Sequence, residues 1–323
     1  MDRHARRWTL RDAIHARLRL RRECPSGDAR RPARDDRRSS LWSWTRSKPV
    51  PARLEGALGA ITEAWIRVQP RPTHRASATV TFSDFDAAVE ATRAIAQARL
   101  EPANCRLLDA TETMINELDV AGQHALVLGF ESLDAPVEGR LEAALGHCRG
   151  HGGEAVESGE ASGSDAAGEW RDAFVEAPYR FNELVSIGVL VDTFETAVTW
   201  DRFPDLHEDL TTAVSAAMRE VCGGGIMSCR FTHVYPDGPA PYYTLLAPAT
   251  VGEELEQWRS IKETASRILG EYDATITHHH AVGRVHREWY TDEVPDPYLE
   301  ALRSMKRTLD PAGIMNPGAL IPP

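Results

Sequence analysis

From residue 54 onward the apolar positions fall into two alternating rhythms. Residues 76–82 (ASATVTF) switch between apolar and polar at every step, the period of a half-buried strand. Ser83 is then expected to cap a helix over 84–100, with Asp86 at its third position in a capping-box-like pattern. Strand-like runs at 104–108 and 124–131 come next, followed by a helix over 137–149. A similar succession repeats: a strand over 185–193, a helix over 205–222, strands over 226–235 and 242–247, and a helix over 253–272. A short apolar strand then runs into three histidines, a helix is expected over 296–309, and a Pro/Gly-rich tail closes the chain. Two such runs predict an antiparallel sheet covered on one face by helices, an α+β domain of about 270 residues. No sequence repeat of the 20–50-residue kind accompanies them.

Three stretches stand apart. Residues 54–69 read as a Gly-containing turn, a short apolar segment and a Pro-limited strand. Residues 151–168 are rich in Gly, Ser and Glu, lack an apolar face, and are expected to form a mobile loop. Residues 1–53 carry 15 Arg and one Lys against six Asp/Glu, with little periodicity. A basic nucleic-acid or membrane-surface arm, a solvated tail, and a segment read out of frame or from a wrong start are the competing explanations. The last is the expectation adopted.

The net charge is −11 despite that basic opening, so the remainder is strongly acidic, which argues against a nucleic-acid partner. Five scattered cysteines (Cys24, Cys105, Cys148, Cys222 and Cys229) form no CxxC pair and read as reduced thiols. No apolar run is long enough for a transmembrane segment and no secretory signal is apparent. The expectation is a cytoplasmic protein, with peripheral membrane contact left open.

The sharpest chemical feature is Thr277-His-His-His-Ala-Val-Gly283. If residues 274–280 are extended, His278 and His280 share one face and His279 points the other way. That disfavours a shared metal, and no HExxH or cysteine pair is nearby, so no metal is expected. Imidazoles that titrate near neutrality suit an active site better, with an accidental surface run as the bland alternative. Tyr235 and the Tyr242/Tyr243 pair flank the turn dipeptide Asp237-Gly238, where tyrosine serves packing or proton transfer. Arg106, within a strand, needs either a carboxylate such as Asp109 or Glu101 or a ligand anion. Arg180 is a phosphate clamp or a surface ion pair. Gly223-Gly-Gly225 follows a helix and lacks the Lys-Ser/Thr of a P-loop, so a helix C-cap is the better reading.

EGALGAITEA, ANCRLLD, FETAVTWDR, CRFTHVYPDG, THHHAVG and LDPAGIMNPG occur in order from Glu55 to the C-terminus. In order and spacing they resemble the C-terminal portion of the alkyldihydroxyacetonephosphate synthases, flavin-linked oxidases that share the vanillyl-alcohol-oxidase fold. The resemblance implies a cap or substrate domain over residues 73–280. It also implies a remnant of the FAD-binding domain at 54–72 and a C-terminal helix and tail at 281–323 returning to the flavin side.

The implied reaction exchanges the acyl group of acyl-dihydroxyacetone phosphate for a long-chain alcohol, with FAD as cofactor and a lipid as substrate. Carried over by position, it makes Tyr243, His278, His279 and His280 catalytic, with Tyr242 leaving a one-residue ambiguity. Arg180 and Arg106 become substrate-binding, and Glu55, Gly56, Ala57, Leu58, Gly59, Ala60 and Ile61 the flavin-contacting loop. No Gly-rich diphosphate loop precedes Leu54, and Arg53-Leu54 stand where that family has Gly-Ser. An incomplete enzyme that binds flavin weakly or not at all is therefore expected. An FAD-linked dehydrogenase or oxidase of a hydroxy acid or alcohol, and a non-catalytic ligand-binding cap, are the alternatives. A homodimer stays open.

Overall fold

The computed structural model describes residues 20–21, 55–61, 70–116, 118, 120, 122–156 and 181–321. The chain divides into two units, Arg71–His280 and Met1–Pro70 with Ala281–Pro323.

The Arg71–His280 unit is built on seven strands: β3 (His74–Phe82), β4 (Asn104–Leu108), β5 (His124–Ser132), β6 (Glu154–Ala155), β7 (Val189–Glu195), β8 (Ile226–Val234) and β9 (Pro239–Pro248). They lie in the order β6-β3-β5-β4-β8-β9-β7, each pair antiparallel. The long helices are α1 (Phe85–Gln97), α3 (Glu138–Gly150), α4 (Phe203–Cys222) and α5 (Glu254–Glu271), with the short α2 (Ala110–Ile115) between β4 and β5. Each half therefore runs strand, helix, two strands, helix, and the inner strands β4 and β8 meet at Leu108 and Arg230. Apart from the two-residue edge strand β6, the strand order is mirrored across that seam, a symmetry that similar rhythms imply and residue identity does not reveal.

Strand alternation sorts side chains onto two faces. Cys229 and Phe231 of β8 face the long helices, where Phe231 packs edge-on to Phe203 of α4 and Phe85 of α1. Phe194 of β7 and Tyr243 of β9 stack at 5.0 Å on the same side. Burying each such ring contributes roughly 2 kcal/mol. Ser228, Arg230 and Thr232 alternate to the opposite face, with Arg106, Glu195 and Tyr242. That face is not bare, because Glu112 of α2 reaches Ser228 and Arg230 there. The sheet is thus covered by helices as expected, with the short α2 adding cover on the second face. Asp109 starts this helix by accepting from Glu112 N–H at 2.6 Å.

Other boundaries shift for local reasons. α1 is capped by Asp84, not Ser83, through a bond from Asp86 N–H. β7 begins at Val189 rather than residue 185, because residues 181–186 are helical and Gly188 turns the chain at φ 85°. Within the expected loop 151–168, Glu154–Ala155 instead pairs with β3, and residues beyond 156 lie outside those described. Gly223 ends α4 in the left-handed region (φ 76°), as a C-cap.

The β8–β9 hairpin turns at Gly238, where an added Cβ would stand 1.8 Å from Val198 O. Trp200 closes the same corner by donating its indole N–H to Tyr235 and Pro236 carbonyls, each at 3.1 Å.

In the other unit, the two-residue strands β1 (Leu20–Arg21) and β2 (Ala60–Ile61) pair antiparallel. The rest of 1–53 and the strand expected near Gln69 fall outside the described residues. Helices α6 (Arg287–Glu293) and α7 (Asp296–Leu309) follow residue 281, and α6 was not foreseen. Leu58, Val282, Leu302, Leu320 and Ile321 form the core of this unit. Glu55, itself at φ 50°, accepts from the N–H groups of Val282 and Gly283 at 2.7 and 2.8 Å. Asn316 donates to Glu55 O and Lys306 to Ala57 O, so the C-terminal motif clamps the 55–59 loop. Among the described residues no helix is long and apolar enough to cross a membrane.

Candidate active site

The polar face of the Arg71–His280 unit gathers its side chains around Glu195, the last residue of β7, which is almost fully buried. His278 Nδ1 lies 3.2 Å and His233 Nδ1 3.4 Å from Glu195 Oε1, and the Thr232 hydroxyl donates to the same oxygen. His280 Nε2 stands 3.9 Å from Oε2. Burial alone would raise the Glu195 pKa. The hydrogen bonds from His233, His278 and Thr232 outweigh it and hold the carboxyl at about 2.

Two departures from regular strand geometry make this convergence possible. Thr232 and His233 are neighbours and would point to opposite faces of a plain strand. A bulge between Phe231 and His233 re-aims them, so both reach Glu195. The second departure is at the triplet, where residues 274–280 are not an extended strand. His278 N–H donates to Glu195 O at 3.0 Å, beside the end of β7, and the backbone then reverses at His279 (φ 54°). His280 N–H donates to His278 O at 2.7 Å across that turn, a γ-turn contact in a strained region of backbone space. The expected alternation is therefore corrected: His279 comes back beside His278 (4.4 Å between rings) and stacks on His233 at 4.2 Å. His280 instead meets the edge of Tyr242 at 5.2 Å.

His233, His278 and His279 hold ring nitrogens within 4.8 Å of one another, a spacing that raises the question of a cation. The His233 and His279 planes are nearly parallel, 6° apart, so their in-plane lone pairs do not converge on one point. One ring would have to leave the stack before both could ligate a single ion.

The two tyrosines separate cleanly. Tyr243 is fully buried on the helix side, hydrogen-bonded to His207 of α4 at 3.1 Å. Burial pushes its phenol well up and pushes His207 down to about 4. The structure does not bring Tyr243 together with the histidines. Tyr242, one residue earlier, faces them, with the Arg230 guanidinium 3.8 Å from its ring centroid. Strand alternation alone separates the two, a signal available once the face of one neighbour is known.

Arg230 was not singled out from sequence, yet it is central: it pairs with Glu112 and lies over Tyr242. Arg106 donates to Asn104 Oδ1 at 3.0 Å. Its pKa is lowered by burial and then by Arg230, with Glu195 acting the other way, which places the two guanidiniums within electrostatic reach. Asp109, an expected partner of Arg106, instead receives Glu112 and Cys229 N–H groups. His280 is shifted down by burial, by Lys262 and by Arg230, against the opposing charges of Glu195 and Asp192. Tyr235, at the hairpin end, places its hydroxyl 3.1 Å from His278 Nε2. Arg180 lies outside the described residues.

Of the expected flavin-contacting loop, Ala57 and Leu58 are buried, Gly56 and Ala60 are exposed, and the side chain of Ile61 is outside the described residues. Glu55 and Gly56 both take positive φ (50° and 76°). The Glu55 carboxylate is engaged with backbone, so among the described side chains of the loop the exposed ones, Gly56 and Ala60, leave mainly backbone to offer a ligand.

Residues 71–320 match the family described as FAD linked oxidases, C-terminal domain. The chain belongs to that family. It is 21% identical over 294 residues to an alkyldihydroxyacetonephosphate synthase of Trypanosoma brucei brucei, covering 83% of this chain and 47% of the relative. It is 25% identical over 328 residues to the mitochondrial D-lactate dehydrogenase (cytochrome) of Arabidopsis thaliana, covering 98% and 53%. A solved alkyldihydroxyacetonephosphate synthase shares the fold at TM-score 0.62 and 20% identity, over 81% of this chain and 47% of that one. The chain of this FAD-linked oxidase family member thus spans about half the length of the relatives it matches.

Proposed function

We propose that this chain carries the substrate side of an FAD-dependent alkyl transfer on acyl-dihydroxyacetone phosphate, in which a long-chain alcohol replaces the fatty acyl group. The observation that carries the reading is one face of one sheet presenting two arginines beside a histidine–tyrosine cluster. Likeness to proteins named alkyldihydroxyacetonephosphate synthase in three organisms supports the same choice.

Arg106 and Arg230 hold the phosphate dianion; a planar guanidinium matches its oxygens better than a point charge. Tyr242 and His280 exchange the proton on the carbon next to the ketone. His280, with its pKa shifted down by burial, is neutral and able to accept that proton near pH 7. The released fatty acid leaves as its carboxylate, and the alcohol gives up its hydroxyl proton to the same cluster. FAD, when bound, supplies the electron sink for the carbon centre. Backbone groups of the loop 55–61 are those of this chain that fit contact with it, since Gly56 and Ala60 are small and exposed.

A second reading, dehydrogenation of a 2-hydroxy acid, rests on the Arabidopsis D-lactate dehydrogenase match, which extends over 98% of this chain. One experiment separates the two. The purified chain is given FAD, an acyl-dihydroxyacetone phosphate and a long-chain alcohol, and ether product is measured. A parallel anaerobic sample receives D-lactate, and flavin absorbance is followed. Because the chain is expected to hold flavin weakly, FAD is kept in large excess and both signals are read against a sample without the chain. Ether formation above that background with no bleaching is expected, and bleaching by D-lactate with no ether product overturns the proposal.

A further inference from the structure

Glu195 ends β7 with a carboxylate that is buried yet meets three histidines. A carboxylate only accepts hydrogen bonds, so any imidazole nitrogen bonded to it must carry a proton. His233 and His278 both present Nδ1 to Oε1. The other nitrogen of His278, Nε2, faces the Tyr235 hydroxyl at 3.1 Å.

We propose that Glu195 is the positioning residue of this site: it locks His278 and His233 as Nδ1–H tautomers and leaves His278 Nε2 as the bare acceptor of the Tyr235 phenol. The result is a phenol–imidazole–carboxylate chain running from a side chain 40% exposed at the hairpin end to a buried anion. The inference rests on the reading above, in which Tyr242 and His280 exchange the substrate proton, and it adds a second imidazole chain ending on the carboxylate that His280 also approaches, 3.9 Å away. The phenol donates to Nε2 and Nδ1–H donates to Glu195, so the imidazole is held at both nitrogens and its orientation is fixed.

The electrostatics agree. Glu195 stays ionised far below neutrality, while burial and then the Glu195 charge push the Tyr235 phenol up and keep it a donor. The backbone supports the same role, because His278 N–H donates to Glu195 O, tying the triplet to β7 by main chain and side chain together. Thr232 adds a third donor to Oε1, and the bulge that brings in His233 serves the same carboxylate.

The test uses the full chain with 15N-labelled histidine, whose 12 imidazoles are assigned by single substitution. Two-bond 1H–15N spectra near pH 7.5 report each tautomer. His278 and His233 are expected as Nδ1–H, opposite to the Nε2–H form that free histidine favours. Nε2–H at His278 in the unsubstituted chain overturns the proposal and needs no variant to fold. In Glu195→Gln, loss of the Nδ1–H preference is expected; its persistence also overturns the role of Glu195. With FAD and substrates present, Glu195→Gln is expected to lower kcat more than tenfold with KM for the phosphorylated ketone within twofold. A chain with the Nδ1–H pattern but no alkyl transfer would refute the proposed reaction while upholding the Glu195 assignment.

Discussion

The Arg230 guanidinium lies 3.8 Å from the ring centroid of Tyr242, while Tyr243, the next residue, points through the sheet to His207. A guanidinium stacked over a ring face fixes the plane of the phenol. Tyr242→Phe is expected to lower turnover at least about tenfold, the usual scale for losing a proton-transfer group. Tyr243→Phe should instead cost about 1–2 kcal/mol of stability by leaving His207 without its buried partner, with turnover within twofold. Paired kinetics and urea melts on the two variants decide between them; a tenfold turnover loss in Tyr243→Phe alone would reverse the assignment.

His207 predicts an acid limb of stability. Burial lowers its folded pKa to about 4, whereas the unfolded imidazole titrates near its ordinary 6.5. The folded state therefore binds fewer protons between those values, and stability present above pH 6.5 is lost as pH falls towards 4. Urea midpoints of the unsubstituted chain should decline relative to His207→Phe across that window. A constant difference from pH 7 to pH 4 would show that His207 titrates alike in both states.

Gly238 has no room for a side chain, since a Cβ would meet Val198 O at 1.8 Å. Gly238→Ala must push residues 198–199 away and disturb the Trp200 indole bonds to Tyr235 and Pro236. A loss of at least about 2 kcal/mol is expected, typical of overpacking. Thermal melts with tryptophan emission as the probe measure it, and an unchanged melting temperature would contradict the close approach.

Glu55 is predicted to hold structure rather than ligand. Its two carboxylate oxygens take the Val282 and Gly283 N–H groups, and an amide can accept at only one side. Glu55→Gln should lower the protection of those two amides against hydrogen exchange about tenfold, the equivalent of about 1.4 kcal/mol. Unchanged protection would mean the carboxylate is dispensable to the clamp.

Much of the fold was legible in the chain. Period-two alternation in β3 and β5 and the amphipathic stretches of α4, α5 and α7 depend on local pattern, and each helix formed within two residues of its expected bounds. The six residues of α2 were missed because one and a half turns carry too little periodicity to register. The histidine triplet, Arg106 and the hairpin tyrosines stood out by residue type. Arg230 and Glu195 were passed over although they too are charged residues of strands, because their shared importance rests on partners far away in the chain.

Residue pattern by itself determined the α+β architecture, the order of its main strands and long helices, and the neighbourhood of the candidate site. Tertiary structure alone decided which side chains meet: Glu195 finds Thr232 37 residues away and His278 83 away, and Arg230 finds Glu112 118 away. The physical reason is that alternation predicts a shared face only while a strand stays regular. The bulge at Thr232–His233 and the reversal at His279 break that rule, and both are held by long-range bonds to one buried carboxylate.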